Sequence, residues 1–553
     1  MRRHRGSPFF AGALLCGTLI AAGSSPLPAA AGRFRSDDPL PREPETQDAS
    51  AAQEWDIDLF IDLATNLFGK PGTPETGVRA GNVNSIDEVP DSSWFTNRIL
   101  AHPLSVDEAV RGPRAGDGPA PGPWTIVGSK DVGFAPGFTV RDSLGETWFI
   151  SFDANGYPEA ATGAIMVANR IFWALGYWQV DNRLARVRPE QITIGETATV
   201  APPSGKRRPM RKSDLDDVWR RANRSPDGSY RAIAARRLTG KPLGGFRYYG
   251  TRPDDPNDVV LHEHRRELRA LKVFGAWTNM VDMKAGNTLD MLVTENGQGI
   301  VRHYLQDVGS TFGTGANGPR EFDEGWEHLY EGDLVWKRLA LFGFLFRPWQ
   351  TVPYADQPAI GRFEGSAFDP LGWKPRVPTA ALRHAQPDDC FWAARRVMAF
   401  SDEMIRAIIR TGGYSDPQAE RLLGDVLIQR RDKIGAAYLN AVTPLVDFAL
   451  TAGGRLTFDN AAVAVHAGTE PAGGYQVRWD SFDNLTGATT AIGDATLASG
   501  ARSVELGALR DVPGTFVRIT ASLVAPAAPA PVHAYFRRDA AGWTLVGLDR
   551  SDS

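Results

Sequence analysis

Asp282-Met283-Lys284-Ala285-Gly286-Asn287 sets an aspartate, a lysine and an asparagine at D-x-K-x-x-N spacing, and Asp307-Val308-Gly309 adds a second aspartate ahead of a glycine. Such types suit phosphoryl transfer. One carboxylate orients an attacking hydroxyl and accepts its proton, while a nearby ammonium offsets charge on the transferred group. An amide oxygen and a second carboxylate are hard ligands for Mg²⁺ or Mn²⁺. Strand-like Leu289 to Val293, the turn at Asn296-Gly297 and a second run from Ile300 to Leu305 predict a hairpin between the motifs. That hairpin would return Asp307 to the first loop. The bland alternative makes Asp282 a helix terminator, Lys284 and Asn287 turn residues, and Asp307-Val308-Gly309 a strand-ending turn.

The elements needed to position these groups lie upstream. Gly128 to Gly137 is a candidate loop over phosphates, with Lys130, Gly133 and Gly137 as its binding residues. Phe138 to Arg141 and Thr147 to Phe152 flank Ser143-Leu144-Gly145 and pair as a hairpin. Glu159 then opens an apolar helix from Thr162 to Leu175 that stops near Gly176. Long helical patterns follow at His262–Val281, Leu334–Phe346, Asp389–Arg410 and Pro417–Leu439.

This order of motifs resembles the protein-kinase-like superfamily, above all its atypical branches: phosphoinositide kinases, HipA-type kinases and spore-coat kinases. A closer likeness is to an uncharacterised family of exported bacterial proteins. It is carried by Gly137-Phe138-Thr139, Gly156-Tyr157-Pro158-Glu159, Phe172-Trp173-Ala174-Leu175-Gly176-Tyr177 and His262-Glu263-His264-Arg265-Arg266-Glu267-Leu268. Asn287-Thr288-Leu289-Asp290 and Arg302-His303-Tyr304-Leu305 continue it. The kinase likeness spans 124–350 and the family likeness 85–440. The resemblance implies ATP with Mg²⁺ or Mn²⁺ as cofactors. It implies Asp282 as the catalytic aspartate with Lys284 beside it, Asn287 and Asp307 as metal ligands, and Glu159 as the helix glutamate. One departure stands out. Kinases end the strand after the phosphate loop with a lysine that binds phosphates and pairs with the helix glutamate; here that position falls at Ser151. A hydroxyl cannot supply the charge. Lys130 or Arg141 could reach in from a neighbouring strand, although an exposed strand charge is the plainer reading of both.

Composition bounds the rest. The chain has 553 residues, Lys+Arg 61 against Asp+Glu 65, and a net charge of −4, which excludes a general electrostatic grip on nucleic acid. Residues 1–31 read as an export signal, with basic Arg2, Arg3 and Arg5, an apolar run from Phe9 to Ala22 and small Ala29-Ala30-Ala31. No later window holds the roughly 18 apolar residues of a membrane span, so no transmembrane anchor is expected in the mature chain. Two cysteines make no disulfide framework. Cys390 reads as buried core, and Cys16 belongs to the signal.

The expected architecture is α+β. Residues 32–50 form a flexible linker and 51–123 an N-terminal extension. A two-lobed kinase-like fold follows, with a β-rich N-lobe at 124–257 and a helical C-lobe at 258–440. A small all-β, sandwich-like domain occupies 441–553, where Tyr475–Trp479 and Phe516–Thr520 alternate with period two. His262 and His264 lack the H-E-x-x-H spacing of a zinc helix and read as a solvated or capping helix start. Asp290 is expected to pair outside the site and His303 to be structural. Three functions remain open: an exported phosphotransferase acting on a protein or small-molecule acceptor, an inactive kinase-like binding or scaffold protein, and an adhesion or carbohydrate-binding protein working through the C-terminal β domain.

Overall fold

Alternation of buried and open side chains along residues 137–152 builds the sheet that carries half of the site. The computed structural model describes residues 32–100, 102–130, 133–201, 205–507, 509, 514–540 and 542–550; the export signal expected at 1–31 lies outside them. Two short helices come first, α1 (Leu59–Ala64) and α2 (Val106–Arg111). Asp58 caps α1 by accepting from the Phe60 and Ile61 amides, each at 3.0 Å. Strands β1 (Trp124–Ser129), β2 (Gly137–Arg141) and β3 (Thr147–Phe152) precede helix α3 (Ala160–Leu175). After it come β4 (Asn182–Val187), β5 (Ile192–Val200), β6 (Arg208–Pro209), helix α4 (Lys212–Arg221) and β7 (Tyr230–Arg236). These strands form one seven-stranded sheet in the order β4-β7-β3-β2-β1-β5-β6. On one face Phe138, Val140, Trp148, Ile150 and Phe152 pack with Leu215 and Val218 of α4.

A second, smaller sheet follows in the chain. Strand β8 (Lys241–Pro242) already pairs with β9 (Leu289–Glu295), and β10 (Gln298–Tyr304) completes that sheet. The seven-stranded sheet thus ends in sequence with β7, and Lys241 already belongs to the next sheet. Helix α5 (Arg266–Thr278) runs between β8 and β9 in sequence. It is followed by α6 (Gly332–Ala340), α7 (Ala380–Arg383), α8 (Pro387–Met398), α9 (Asp402–Arg410) and α10 (Pro417–Tyr438). Leu271, Phe274 and Trp277 of α5 pack with Trp392 of α8 and Leu427 of α10. The single helix expected over 389–410 is two, because Ser401 caps a new start by accepting from the Met404 amide at 3.1 Å.

Arginines are buried in this half beside their counter-charges. Arg266 Nε donates to Asp389 Oδ1 at 2.9 Å and Arg269 Nη1 to Asp389 Oδ2 at 3.0 Å. Removing one partner would leave a buried charge uncompensated, at a cost of about 3–5 kcal/mol. The solvated or capping helix start expected at His262 and His264 is corrected by the same logic, since Arg265 holds the cap position. Both rings are buried, His262 between Asp258 at 2.7 Å and the Arg247 carbonyl at 2.5 Å, and His264 accepting from Arg269 at 2.5 Å.

The described residues of 441–550 include two antiparallel sheets. One is three-stranded (Leu445–Leu450, Arg455–Asn460, Ser503–Glu505) and one five-stranded. Phe458, Val477, Trp479 and Ile519 lie in the core between them.

The flexible linker expected at 32–50 is instead a packed belt. Phe34 joins an aromatic cluster with Phe482, Phe516 and Tyr535 of the C-terminal domain. Glu43 pairs with buried Arg265 at 3.2 Å, and Glu45 accepts from the Ser93 amide at 2.9 Å. Ala49 donates its amide to Gly299 of β10 at 2.8 Å. Polar composition predicted solvation, but Arg33, Glu43, Glu45 and Asp48 each met a partner distant in sequence. The 51–123 extension is likewise part of the core, with Trp94 and Phe95 buried.

Candidate functional site

Helix α5 ends where Asn279 turns into the left-handed region at φ 53°, and the chain then runs into the D-x-K-x-x-N motif. The motif is held by short-range bonds. Asn287 Nδ2 donates to the Asp282 carbonyl at 2.7 Å, and Thr288 Oγ1 donates to the Ala285 carbonyl at 2.7 Å. The β9–β10 hairpin, in register from Leu289↔Tyr304 to Glu295↔Gln298, brings the chain back. The Asp307 amide then donates to the Asn287 carbonyl at 3.0 Å, and the Gly309 amide to Asp307 Oδ1 at 2.9 Å. Asp282, Asn287 and Asp307 are thus tied together through the backbone. Lys284 Nζ lies 2.9 Å from Asp282 Oδ2, and Arg320 lies 3.5 Å from the same oxygen. Burial pushes the Asp282 carboxyl up, but Lys284, Arg320 and the Asn287 amide together bring it below the ordinary carboxylate range. It is ionised at neutral pH and suited to orienting a hydroxyl.

The opposite wall comes from the seven-stranded sheet. Gly128↔Thr139 and Ser129↔Phe138 are in register, but the pairing slips between Ile126 and Gly128. That bulge absorbs one extra residue, Val127, and reverses the alternation beyond it. Ile126 and Ser129 consequently share the core face, and Lys130, the next residue, turns to the cleft. Its stem crosses Gly137: a Cβ there would lie 3.3 Å from Lys130 Cδ and 2.1 Å from the Ile150 carbonyl oxygen, so only glycine fits. Gly133 adopts φ 85°, and a Cβ on it would lie 3.6 Å from Lys130 Nζ. Burial draws the Lys130 ammonium below the ordinary lysine range, opposed by the charge of Asp307 and reinforced by Arg221. Ser151, paired with Gly137, lines the same cavity beside Lys130.

That cavity measures about 360 Å³ and lies between the sheet and the β9–β10 hairpin. Ile165, Val180, Ile233, Leu289 and Met291 give it apolar walls, and Lys130 and Asp307 are among its charged residues. A slot with apolar walls and a few convergent charges is the usual form of a small-molecule site.

Glu159 stands apart. It occupies the N-cap of α3 at φ 67°, 3.6 Å from Arg231, and accepts from the Ser415 amide at 2.8 Å. Asp153 performs the helix start, accepting from the Thr162 amide and hydroxyl, each at 2.8 Å. Arg141 is an exposed strand charge between Thr125 and Thr147. Asp290 is buried between Arg252 at 3.0 Å and His303 at 2.7 Å, away from the cleft, and His303 stacks on Trp94 at 3.6 Å between centroids. Cys390 is buried and burial pushes its thiol up to about 12, so it carries no nucleophile.

Two residues near Asp282 escaped the sequence. Arg320 bridges Asp282 and Glu324, the latter at 3.3 Å, and burial raises the Glu324 carboxyl despite Arg320 and Arg376. No local pattern marks them, since Arg320 is far along the chain from Asp282.

Among the described residues no three His, Cys, Asp or Glu side chains gather as a metal cluster. The Asn287–Asp307 pair nevertheless fits a hard divalent cation. Asn287 commits its amide nitrogen to the Asp282 carbonyl and Asp307 its Oδ1 to the Gly309 amide; among the described residues the other oxygen of each accepts no hydrogen bond and is of the hard type such a cation takes.

No family model matches the chain, and no curated protein matches it. Among solved structures it is similar to a Golgi casein kinase with Mn/ADP bound, at 10% identity over 72% of this chain and 95% of that one, with a TM-score of 0.26. A second structure of the Golgi casein kinase aligns at 9% identity over 73% and 96%, with a TM-score of 0.22. Overlap this loose does not bear on the fold.

Proposed function

We propose that the cleft binds a nucleoside triphosphate with a divalent cation and that the chain is a two-lobed, kinase-like phosphotransferase. The observation that carries this reading is the convergence on one cavity of Lys130 from the sheet and Asp307 from the hairpin, with Asp307 tied through Asn287 to Asp282. The apolar slot takes the base. Lys130 faces the phosphates and supplies the charge that Ser151 lacks. Asn287 and Asp307 would hold Mg²⁺ or Mn²⁺, which when bound neutralises phosphate charge. Asp282 orients the acceptor hydroxyl and takes its proton as the acceptor oxygen bonds to the γ-phosphorus and the bond to the β-phosphate oxygen breaks. Lys284, held on Asp282, offsets charge on the moving group. The proposal takes the chain as exported, on the basic and apolar composition of residues 1–31.

One observation favours a second reading, an inactive nucleotide-binding scaffold. Glu159 is engaged by Arg231 and Ser415, so Lys130 has no glutamate partner from the helix. Thermal unfolding of the wild type and Asp307→Ala, with and without ATP and Mg²⁺ or Mn²⁺, tests the site. Ligand at about 100 times its Kd stabilises by about 2.7 kcal/mol. A shift in the wild type that disappears in Asp307→Ala is the expected outcome; no shift in the wild type with either cation sinks the nucleotide reading. Phosphate release or transfer then separates enzyme from scaffold.

A further inference from the structure

A second cavity, of about 290 Å³, shares none of its lining residues with the cleft at Lys130 and Asp307. Helices α5 and α10 contribute to it. Asn279, the C-cap of α5, accepts from the Trp373 indole at 2.8 Å. Arg430 of α10 donates to the Ala276 carbonyl at 2.6 Å and to the Glu364 carbonyl at 3.1 Å, and its guanidinium lies 3.7 Å from the centroid of Phe368. Gly325 turns through φ 90°, and a Cβ on it would lie 2.5 Å from Asn279 Oδ1, so glycine is what lets the loop close on α5. Trp326, Trp349 and Tyr354 complete the aromatic wall, each only partly buried. The Trp326 indole donates to the Tyr354 hydroxyl at 3.4 Å and the Trp349 indole to Glu327 at 2.5 Å, which fixes both rings.

The charges of the cavity divide into those the fold uses and those it does not. Arg347 and Lys374 are neutralised by Glu327 and Glu331, at 2.7 Å each. Glu324 has Arg320 and Arg376 at 3.3 and 3.6 Å. Two carboxylates, Glu364 and Asp369, and two guanidiniums, Arg362 and Arg430, also line the space, and among the described residues none of these four forms an ion pair. Glu364 Oε2 accepts from the Ser366 hydroxyl at 2.9 Å and the Ala367 amide at 2.8 Å, and Asp369 Oδ1 accepts from the Leu371 amide at 3.0 Å. Among the described residues the second oxygen of each accepts no hydrogen bond. Arg430 is 4% exposed, and its Nε has no acceptor. Burial draws that guanidinium down to about 9, despite Glu364 and Tyr354. Unused polar groups around one space are costly to keep unless something else satisfies them.

We propose that this cavity binds a neutral pyranose ring. The C–H faces of a pyranose pack on indole and phenol rings, and its hydroxyls donate to carboxylate oxygens in bonds that the negative charge strengthens. Its oxygens can accept from the Tyr354 hydroxyl, which takes the Trp326 indole as acceptor and keeps its own proton to give. An anion is poorly served, because both terminal nitrogens of Arg430 are spent on carbonyls and leave no fork for a carboxylate or phosphate. A cation would share the space with Arg362 and Arg430, while Glu324 already has two arginines beside it. A neutral ligand that both donates and accepts meets neither obstacle, and the volume suits about one sugar ring. The site is separate from the C-terminal β domain. The inference is independent of nucleotide binding, although Arg320 joins Glu324 to Asp282 and so connects the two cavities by one shared guanidinium.

Saturation-transfer NMR on the full chain without nucleotide tests it, using the methyl glycosides of glucose, galactose, mannose and N-acetylglucosamine, with acetate and tetramethylammonium as charged probes. The expected result is transfer to the ring C–H protons of at least one glycoside and none to either ion. Trp326→Ala should raise the Kd of that glycoside by about tenfold, since it removes an apolar wall. Glu364→Gln should raise it by about threefold, since a neutral amide oxygen replaces a charged acceptor. This second variant keeps the size of the side chain and an oxygen for Ser366 and Ala367, so its melting temperature should match the wild type. No transfer to any of the four glycosides overturns the proposal, as does an unchanged Kd in Glu364→Gln. Transfer to acetate or tetramethylammonium that Glu364→Gln alters would make a charged ligand the occupant and overturn it too.

Discussion

The two ends of the cleft are held by different kinds of bond. At the Asp282 end, the bonds that tie the two motifs together join residues close in sequence or across one hairpin: Asn287 to Asp282, Asp307 to Asn287, Gly309 to Asp307; Arg320, paired with Asp282, is an exception from farther along the chain. At the Lys130 end, a side chain from one strand crosses the next to reach the position beside Ser151 on a third. A site built from local backbone bonds keeps its residues at fixed spacing. A charge delivered across a sheet can come from any strand that reaches, because what matters there is where the ammonium ends, not which residue carries it.

The largest effect belongs to the local end. Asp282→Asn should cut phosphoryl transfer by about a hundredfold or more while leaving the nucleotide-induced melting shift in place. Loss of the shift as well would mean that Asp282 organises the loop rather than the hydroxyl. The next effect sharpens the contrast. Lys130→Met should raise the Kd for ATP with Mg²⁺ about tenfold, worth about 1.4 kcal/mol, and Ser151→Lys in that background should restore binding. An unchanged Kd in Lys130→Met would break the comparison, since no cation from the sheet would then be at work. Acidity adds a third measurement. Burial depresses the Lys130 ammonium, so its charge is lost as pH rises at values below 10.5. ATP affinity, titrated upward through that window, should fall in the wild type and stay flat in Lys130→Met. The smallest effect is at Glu159. Glu159→Gln breaks a contact with Arg231 at the helix cap and should cost about 1 kcal/mol or less of stability. It should leave ATP affinity alone; a weakened Kd would return Glu159 to the cleft.

The same contrast explains what could be read from residues alone. The D-x-K-x-x-N loop, the hairpin behind it and the Gly145 turn were visible because local spacing defines them. The direction of Lys130 was not, because alternation along β1 is reversed by a bulge that only the partner strand reveals. Read with period two from Trp124 and Ile126, Lys130 falls on the core face. His262 looked solvated because its partners, Asp258 and the Arg247 carbonyl, belong to a loop with no periodic pattern. The belt at 32–50 was hidden for a related reason: the composition of Glu43 and Glu45 reports their polarity and says nothing of Arg265, 222 residues away from Glu43. Phe342 and Phe344 lay inside a run that reads as an ordinary helix, since an apolar pattern predicts a buried face, yet among the described residues both side chains are exposed.

The belt also sets a load path. Beyond Gly32, Arg33 pairs with Asp549, the Phe34 amide bonds Asn484 at 2.8 Å, and the chain then crosses to Arg265 and on to Gly299. Tension applied on the amino side is therefore borne first by the five-stranded C-terminal sheet and only afterwards by the half that holds Asp282. Peeling would proceed from Phe34 inward, one anchor at a time, so the C-terminal domain acts as a mechanical fuse for the cleft.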